Sequence, residues 1–219
     1  MAHFIFGDTP LGLPIPAYKF GGIGPEVLIL GGVHGDEIEG IVTSHGLLRE
    51  FTKSFPYRLS LTLIPALNVE GMLYRTRSNS RGVDLNRNLP TKDWTAQVLN
   101  PRYNPGPSAG SEPENQALMR YLSAQNPKFI LSLHSWHPML NINGNCKTQA
   151  EAIHALTGYR IDESIGYPTP GCLGTYSGIE RGLPTLTYEI ERGQAPEKVL
   201  QMHLPAIQEC LKVCEKILA

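Results

Sequence analysis

Residues 27–37 read Val27-Leu28-Ile29-Leu30-Gly31-Gly32-Val33-His34-Gly35-Asp36-Glu37. The continuous apolar run at the start of this stretch is typical of a central strand that is covered on both faces. After Glu37, apolar residues recur near helical spacing as far as Phe51, which predicts a helix. A strand followed at once by a helix is the repeating unit of α/β proteins, so this stretch indicates the fold class.

The rest of the chain alternates strand and helix signals in the same way. Further strands are predicted at 58–64, 129–133 and 184–190, and further helices at 111–125, 148–157 and 196–218. The strict alternation of Arg58–Ile64 predicts a half-buried strand, and the pair Ser111 and Glu114 predicts a capping box. Phe4–Phe6 and Ala17–Phe20 predict a hairpin at a sheet edge.

These signals together predict an α/β fold, a three-layer sandwich with a central mixed, mostly parallel sheet flanked by helices. The length of 219 residues and the hydrophobic fraction of 41% suit a single domain, 1–219, with a sizeable core. The net charge of −1 offers no electrostatic basis for binding nucleic acid or an anionic membrane. No apolar stretch approaches the ~20 residues that a membrane-spanning helix needs.

Cysteine usage and the N-terminal residues indicate the compartment. The four cysteines contain no Cys-x-x-Cys pair, which favours reduced thiols in a cytosolic protein. The segment Met1–Asp8 lacks the basic region and the apolar length of a signal peptide. The sequence therefore predicts a cytoplasmic protein, and it leaves open whether the protein is a monomer or a homodimer.

Three side chains that can bind zinc follow the predicted strands. His34 and Glu37 come after the first central strand, and His134 ends the strand at 129–133. Because sites in open α/β sheets lie beyond the carboxyl ends of the strands, we expect these side chains to meet. Two imidazoles and one carboxylate are a normal ligand set for catalytic zinc, which keeps a fourth position for water. The sequence thus predicts one Zn²⁺ per chain, with His137 as a bystander and no nearby cysteine to close a structural site.

A carboxylate in the predicted strand 184–190 is a candidate general base. Glu189 lies in an apolar segment, and burying a carboxylate is costly unless it is paired or functional. In that position it could accept a proton from the attacking water and deliver it to the leaving amine. Glu191 shares the same face by strand alternation and is a competing assignment.

A polar stretch at 68–111 contains few regular signals, and a connection this long in a compact domain is usually functional. Its segment 75–88 holds four arginines and no lysine. Guanidinium groups bind carboxylates through two parallel hydrogen bonds, so one arginine is expected to hold a substrate carboxylate and another to stabilise an oxyanion. Asp84 is expected to accept a hydrogen bond from a ligand histidine and fix its tautomer.

The order of these motifs resembles that of the M14 zinc carboxypeptidases. The shared pattern is His-x-x-Glu, a basic loop ending in Asp-x-Asn-Arg, a strand-end His and a final Thr-x-Glu. The resemblance implies a zinc carboxypeptidase-like fold and a hydrolase acting on the amide bond next to a C-terminal carboxylate. It implies these roles: zinc ligands His34, Glu37 and His134; general base Glu189; carboxylate clamp Asn86 and Arg87; oxyanion arginine Arg77, with Arg75 as the alternative; substrate-capping tyrosine Tyr167. For Tyr167 the competing reading is a loop tyrosine before a proline turn.

Within this family, the chain resembles the murein peptide amidase A branch. The resemblance rests on His34–Glu37, Gly82–Asn88, Gly110–Glu114 and Gly166–Gly171. It implies a small peptide substrate with a free carboxylate, cleaved between γ-D-glutamate and meso-diaminopimelate, and a role in peptidoglycan recycling.

Some residues depart from that branch and leave the substrate open. Ser135–Pro138, Leu89 and Ile190–Arg192 differ from its usual pattern. Leu173 falls near the position that lines the side-chain pocket in digestive relatives, and it offers no partner for a diaminopimelate ammonium group. Two alternatives therefore stay open: a deacylase of the succinylglutamate desuccinylase and aspartoacylase group, and a non-catalytic binder of peptidoglycan fragments.

Overall fold

The computed structural model describes residues 1–98 and 100–218. Within them, one sheet contains eight strands: β1 (Ala2–Asp8), β2 (Pro14–Gly21), β3 (Glu26–Leu30), β4 (Ser60–Ile64), β5 (Phe129–Trp136), β6 (Met139–Asn143), β7 (Arg160–Asp162) and β8 (Thr185–Glu191). The α-helices of the same residues are α1 (Ile38–Lys53), α2 (Val69–Tyr74), α3 (Pro113–Gln125), α4 (Lys147–Thr157) and α5 (Pro196–Ile217). Short 3-10 turns span Leu85–Arg87 and Pro101–Tyr103, and a π-helical turn spans Gly174–Ile179.

The sheet is mixed, with a parallel centre. Its strand order is β1-β2-β4-β3-β5-β8-β6-β7, and β4, β3, β5 and β8 pair in parallel. The hairpin β1–β2 forms one edge, antiparallel to β4, and β6 pairs antiparallel with β8 near the other edge. The predicted fold class and the predicted edge hairpin are both confirmed.

Apolar side chains cover both faces of the sheet, because successive residues of a strand point to opposite faces. On one face, Ile29 of β3 belongs to a core cluster with Leu47 of α1 and Ile207 of α5. On the other face, Leu28 belongs to a second cluster with Leu118 of α3. Two helical layers around one sheet make the predicted three-layer sandwich.

The strand predicted at 58–64 is present as β4, but its predicted half-burial is wrong, since all five residues of β4 are buried. Its polar side chains are paired instead of solvated. The Thr62 hydroxyl donates to Glu26 Oε1 at 2.7 Å, and the Tyr121 hydroxyl donates to the same oxygen at 2.6 Å. The Glu26 carboxylate of the neighbouring strand, whose side chain is 10% exposed, thus pairs with the polar side chain of β4, and the alternation does not mark solvent exposure.

The predicted capping box at the start of α3 is also wrong. Glu112 occupies the N-cap position without a side-chain capping bond, and the Ser111 hydroxyl donates to Glu112 Oε1 at 2.7 Å. Glu114 instead accepts a hydrogen bond from Asn79 Nδ2 at 3.3 Å. The two glutamates therefore bind the long polar loop to α3.

Two predictions from the sequence concern the cysteines and membrane-spanning helices. The four cysteines are free and buried, which agrees with the prediction of reduced thiols. Among the described residues, no helix has both the length and the apolarity that crossing a membrane requires.

Candidate active site

The carboxyl ends of β3, β5 and β8 bring the predicted ligands and the candidate base together. His34 and Glu37 follow β3, His134 lies in β5, and Glu189 of β8 is the register partner of His134. One ligand atom each of His34, Glu37 and His134 lies within 4.8 Å of the others, and all three residues are buried. Two imidazole nitrogens and a carboxylate oxygen fit a Zn²⁺ ion.

The two histidines present the same nitrogen to the centre of this group. The Nδ1 atoms of His34 and His134 lie 3.3 Å apart and 2.8 and 2.9 Å from the oxygens of Glu37. Their Nε2 atoms face outward, to Asp84 Oδ1 at 2.9 Å and Ser132 Oγ at 3.0 Å. Outer partners of this kind orient a ligand histidine and set its tautomer. Asp84 thus lies where the sequence predicts a tautomer-fixing acceptor, and Ser132 is an additional partner.

Gly35 explains how the chain places His34 so close to the polar loop. A Cβ atom at Gly35 would lie 1.8 Å from the carbonyl carbon of Gly71 in α2. Only glycine therefore lets the turn after β3 pack directly against α2, the helix that precedes the arginine-rich segment.

The Glu37 carboxylate is ionised despite its burial. Burial opposes ionisation, but His34 and His134 hold its pKa well below the usual range. The Ser135 backbone N–H and the Arg77 guanidinium also donate to it, at 3.1 and 3.2 Å. Glu37 is therefore held as an anion, the form that binds a metal.

Arg77 connects the ligand group to Asp84. Its Nε donates to Asp84 Oδ2 at 2.8 Å, while its Nη1 donates to Glu37. Burial opposes ionisation of Asp84, but His34 and Arg77 hold its pKa below the usual range. Two anions and one guanidinium thus form a rigid frame beside the predicted zinc ligands.

Asn86 and Arg87 line the same cavity as the predicted zinc ligands, and this cavity has a volume of about 330 Å³. Asn86 Oδ1 accepts a hydrogen bond from the backbone N–H of Leu173 at 2.8 Å, which leaves its amide nitrogen as a donor. Arg87 is only 4% exposed, and its Nη1 donates to the Asn86 carbonyl at 2.7 Å. Within the described residues, no carboxylate forms a salt bridge with Arg87.

Glu189 also lines this cavity, beside His134. Its Oε2 atom is buried, and no described residue makes a hydrogen bond to it. Burial raises the pKa of Glu189 to about 7, with His134 opposing the shift and the Glu37 carboxylate adding to it. An unpaired carboxylate that titrates near neutrality beside a candidate metal group has the properties of a general base.

Most of the chain matches one known protein family. The family model for zinc carboxypeptidases, Peptidase M14, matches residues 3–170. The chain belongs to the zinc carboxypeptidase family. It is therefore a hydrolase that acts on peptide bonds, as the sequence motifs predict.

Two curated relatives carry a more specific name. Murein peptide amidase A of Escherichia coli strain K12 is 31% identical over 217 residues, covering 89% of this chain and 85% of the relative. Murein peptide amidase A of Vibrio campbellii is 30% identical over 192 residues, covering 82% and 74%. The resemblance to this branch is thus confirmed at the level of sequence similarity.

Solved structures agree on the fold. The murein-tripeptide amidase from Escherichia coli O157 has a TM-score of 0.83 at 25% identity, covering 97% of this chain and 92% of its own. Carboxypeptidase A from Helicoverpa armigera also has a TM-score of 0.83, at 15% identity, covering 99% and 69%. The second likeness shows the shared fold alone.

A polar pocket beside Glu189 contains residues that the sequence analysis missed. Asn141 and Asn143 of β6 line the cavity together with Thr187 and Gly174. Asn143 Nδ2 donates to Asn141 Oδ1 at 2.9 Å. The signal was the alternation of Leu140 and Ile142 with these asparagines, which is the pattern of a strand with one polar face.

Leu173 does not line this pocket, which corrects the expectation of an apolar side-chain site. It is 4% exposed and packs in the second apolar cluster, because the π-helical turn that begins at Gly174 directs its side chain into the core. Cys172 and Gly174, on either side of it, line the cavity instead. The pocket is therefore lined mainly by amides and hydroxyls.

The structure separates the remaining candidates. Tyr167 lines the cavity, 37% exposed, with its ring centroid 5.7 Å from that of Trp136. Arg75 is exposed at the end of α2 with a left-handed backbone (φ 56°), and it does not line the cavity, which corrects the alternative that it is the oxyanion arginine. Glu191 and His137 are likewise exposed and outside the cavity.

Proposed function

We propose that this protein is a zinc-dependent carboxypeptidase that hydrolyses the amide bond next to a C-terminal carboxylate in murein peptides. The bond is that between γ-D-glutamate and diaminopimelate. His34, Glu37 and His134 hold one zinc ion, and the whole chain, 1–219, acts as one catalytic domain. A cytoplasmic location and a role in peptidoglycan recycling stay predictions from the sequence.

The observation that carries the proposal is the pairing state of Arg87. A guanidinium that is 4% exposed retains its charge, and burying a charge is costly unless an anion compensates for it. The described residues supply no salt bridge to it, while Asn86 beside it has a free amide donor. A substrate carboxylate that accepts from both side chains would complete this half of the site.

The zinc ion, when bound, lowers the pKa of a water molecule and polarises the substrate carbonyl. The donor set of two histidines and an ionised carboxylate suits that ion, because it leaves a position for water. Asp84 and Ser132 hold the two histidines with their Nδ1 atoms toward Glu37, the group that would bind the ion.

Glu189 moves the proton. With a pKa of about 7, its Oε2 accepts a proton from the attacking water and then donates it to the nitrogen of the leaving residue. Arg77 stabilises the negative charge that develops on the carbonyl oxygen. Two of its nitrogens are bound to Asp84 and Glu37, so its position is preorganised before the substrate arrives.

The amide-lined pocket supports a polar leaving residue. Diaminopimelate carries an ammonium and a carboxylate at the far end of its side chain, and the amides of Asn141 and Asn143 can both donate to and accept from such groups. A large apolar side chain would form no hydrogen bonds with these amides, which otherwise pair with each other and with the Asp162 carbonyl. The names of the curated relatives agree with this substrate class.

Product analysis by mass spectrometry tests the proposal. Zinc-loaded protein is incubated with L-Ala-γ-D-Glu-meso-diaminopimelate, an ordinary peptide with an apolar C-terminal residue, and an N-succinyl amino acid. We expect free diaminopimelate from the first substrate and no release after treatment with a chelator. Release of succinate alone would instead identify a deacylase, and no turnover of any substrate would support a non-catalytic binder.

A further inference from the structure

Two arginines at the mouth of the cavity share one aspartate. Arg102 Nη2 lies 3.1 Å from Asp36 Oδ2, and Arg192 Nη2 lies 3.0 Å from the same oxygen. Arg192 Nη2 also donates to the Asp36 backbone carbonyl at 2.6 Å. Both arginines line the cavity, and neither has a part in the chemistry described above.

This cluster, Asp36 with Arg102 and Arg192, has an excess of positive charge and of donors. Two guanidinium groups against one carboxylate leave a net charge of +1. A guanidinium has five N–H donors, so most donors of the pair are available to a ligand. With side-chain exposures of 45% and 38%, the two groups are open to the cavity and to solvent. Such a pair, preoriented by Asp36, is suited to bind a carboxylate.

The position of Arg192 relative to Glu189 shows which part of the substrate would meet the cluster. Thr187, in the polar pocket, precedes Glu189 along β8, and Arg192 follows the end of that strand. Strand residues advance by about 3.3 Å each, so the polar pocket and the cluster lie on opposite sides of the general base. The leaving residue occupies the polar pocket, so the cluster faces the residue that supplies the carbonyl.

We propose that Arg102 and Arg192, held by Asp36, bind a second carboxylate of the substrate, on the residue that supplies the scissile carbonyl. This inference rests on the proposed function and narrows its substrate class. A γ-linked glutamate has this carboxylate, because its side-chain carboxyl forms the amide and its α-carboxylate stays free. An α-linked residue with an uncharged side chain has no such carboxylate, so the cluster selects for an acidic residue before the scissile bond, which γ-linked glutamate provides.

A substrate pair tests the proposal: L-Ala-γ-D-Glu-meso-diaminopimelate and the same peptide with the glutamate α-carboxylate converted to a carboxamide. For the native sequence we expect amidation to lower kcat/KM by about 10- to 100-fold, the range for losing charge-assisted hydrogen bonds. Arg192→Gln and Arg102→Gln should each lower the ratio of kcat/KM between the two substrates. In the double variant this ratio should fall to within about threefold of one. Arg49→Gln is the matched control, since Arg49 is an exposed arginine paired with Glu50 away from the cavity, and it should keep the full ratio.

A binding measurement separates recognition from turnover. In the Glu189→Gln background, calorimetric titration with the two peptides should show the same ratio in Kd, and the ratio should disappear when Arg192→Gln is added. Melting curves establish that each variant is folded. If Arg192→Gln does not fold, Arg102→Gln replaces it in the titration. Equal cleavage of the two peptides by the native sequence would overturn this inference and leave the murein substrate intact. Cleavage of neither peptide, with turnover of an ordinary C-terminal peptide, would overturn the proposed function and this inference with it.

Discussion

Two sets of charged groups in the cavity differ in how they are paired. The first set, which we call the zinc wall, comprises His34, Glu37, Arg77 and Asp84, and its members are bound to one another at 2.8–3.2 Å. The second set, which we call the recognition wall, comprises Arg87, Arg102 and Arg192. Among the described residues Arg87 lacks a salt bridge, and Arg102 and Arg192 share a single aspartate. Charges in the first set are balanced within the protein, and those in the second are not.

This difference in charge pairing indicates which groups keep the candidate catalytic residues in position and which groups are suited to recognise the substrate. Groups that must keep a fixed position before the substrate binds have internal partners that orient them. Groups that bind the substrate keep donors free, at a cost in stability that the ligand offsets. Substitutions on the two walls should therefore affect kcat and KM differently.

The largest effect is expected from Glu189→Gln, which removes the proton acceptor and preserves the shape of the side chain. Loss of a general base costs about 10²- to 10⁴-fold, so we expect kcat to fall by about 10³-fold. Metal content, measured by elemental analysis, should be unchanged. Glu191→Gln is the control because Glu191 is exposed and outside the cavity. Normal activity of Glu189→Gln together with an inactive Glu191→Gln would move the base to Glu191.

The next effect is expected from Arg87→Ala on the recognition wall. Removal of a charge-assisted pair of hydrogen bonds should raise KM by about 10- to 100-fold while kcat changes little. Arg87→Lys should recover little of this loss, since lysine cannot donate two parallel hydrogen bonds. Steady-state kinetics on the murein tripeptide checks both, with Arg49→Ala as the control. A fall in kcat at constant KM would show that Arg87 acts in the transition state only.

A smaller effect on activity is expected from Asp84→Asn behind the zinc wall. The neutral amide weakens the hydrogen bond that orients His34, so zinc affinity should fall by about 10- to 100-fold. Saturating zinc should then restore most of the activity. Competition with a chelator measures the affinity, and Asp8→Asn, an exposed change at the end of β1, is the control. Unchanged affinity would mean that Arg77 and Glu37 orient His34 without Asp84.

Glu114 offers a comparison with Glu189, because burial raises the pKa of both carboxyls to about 7. Glu114 lies behind the polar loop, where Asn79 donates to it. Its pKa is near 4.5 when unfolded, so the folded state binds the extra proton between about pH 4.5 and 7. The stability contribution of this group is therefore full below pH 4.5 and is lost as the pH rises to about 7.

Glu114→Gln should remove this pH dependence without changing the active site. Relative to the variant, the native sequence should lose roughly 2–4 kcal/mol of unfolding free energy between pH 4.5 and 7.5. Urea unfolding across that range checks the slope, with Glu151→Gln as the exposed control. The kcat of Glu114→Gln at pH 7 should be near that of the native sequence. A large loss of kcat would show that the loop depends on the Glu114 carboxylate.

Much of the fold and of the zinc wall follows from local sequence signals. The apolar run at 27–30 identified a central strand, and the helices at 38–53 and 196–217 agree with their predicted spacing. Strand β7 was missed because it occupies only three residues, too few for a periodic signal. Strand β6 was missed because two of its five residues are asparagines, which are depleted in strands. Because β6 was not predicted, the sequence did not show that Asn141 and Asn143 line the pocket or that the pocket is polar.

The recognition wall could be predicted only in part. The motif around Asn86 and Arg87 was visible, but the loop holds several arginines and sequence spacing does not show which of them face the cavity. Arg75 is itself the left-handed residue that ends α2, and it is exposed. Arg77, two positions later, is bound to Asp84 and Glu37. Arg102 and Arg192 were not predicted, because they are 90 positions apart in the sequence and meet only through Asp36.

The sequence by itself determined the order of the main strands and helices, the candidate metal ligands and the family, because periodicity and side-chain chemistry are local properties. The tertiary structure decided which arginines are free, which amides line the pocket and which buried glutamate faces it. Those outcomes depend on contacts between segments far apart in the chain. Glu189 and Glu114 have similar burial and similar pKa values, and only the packing of distant strands and loops makes one a candidate base and the other a structural group.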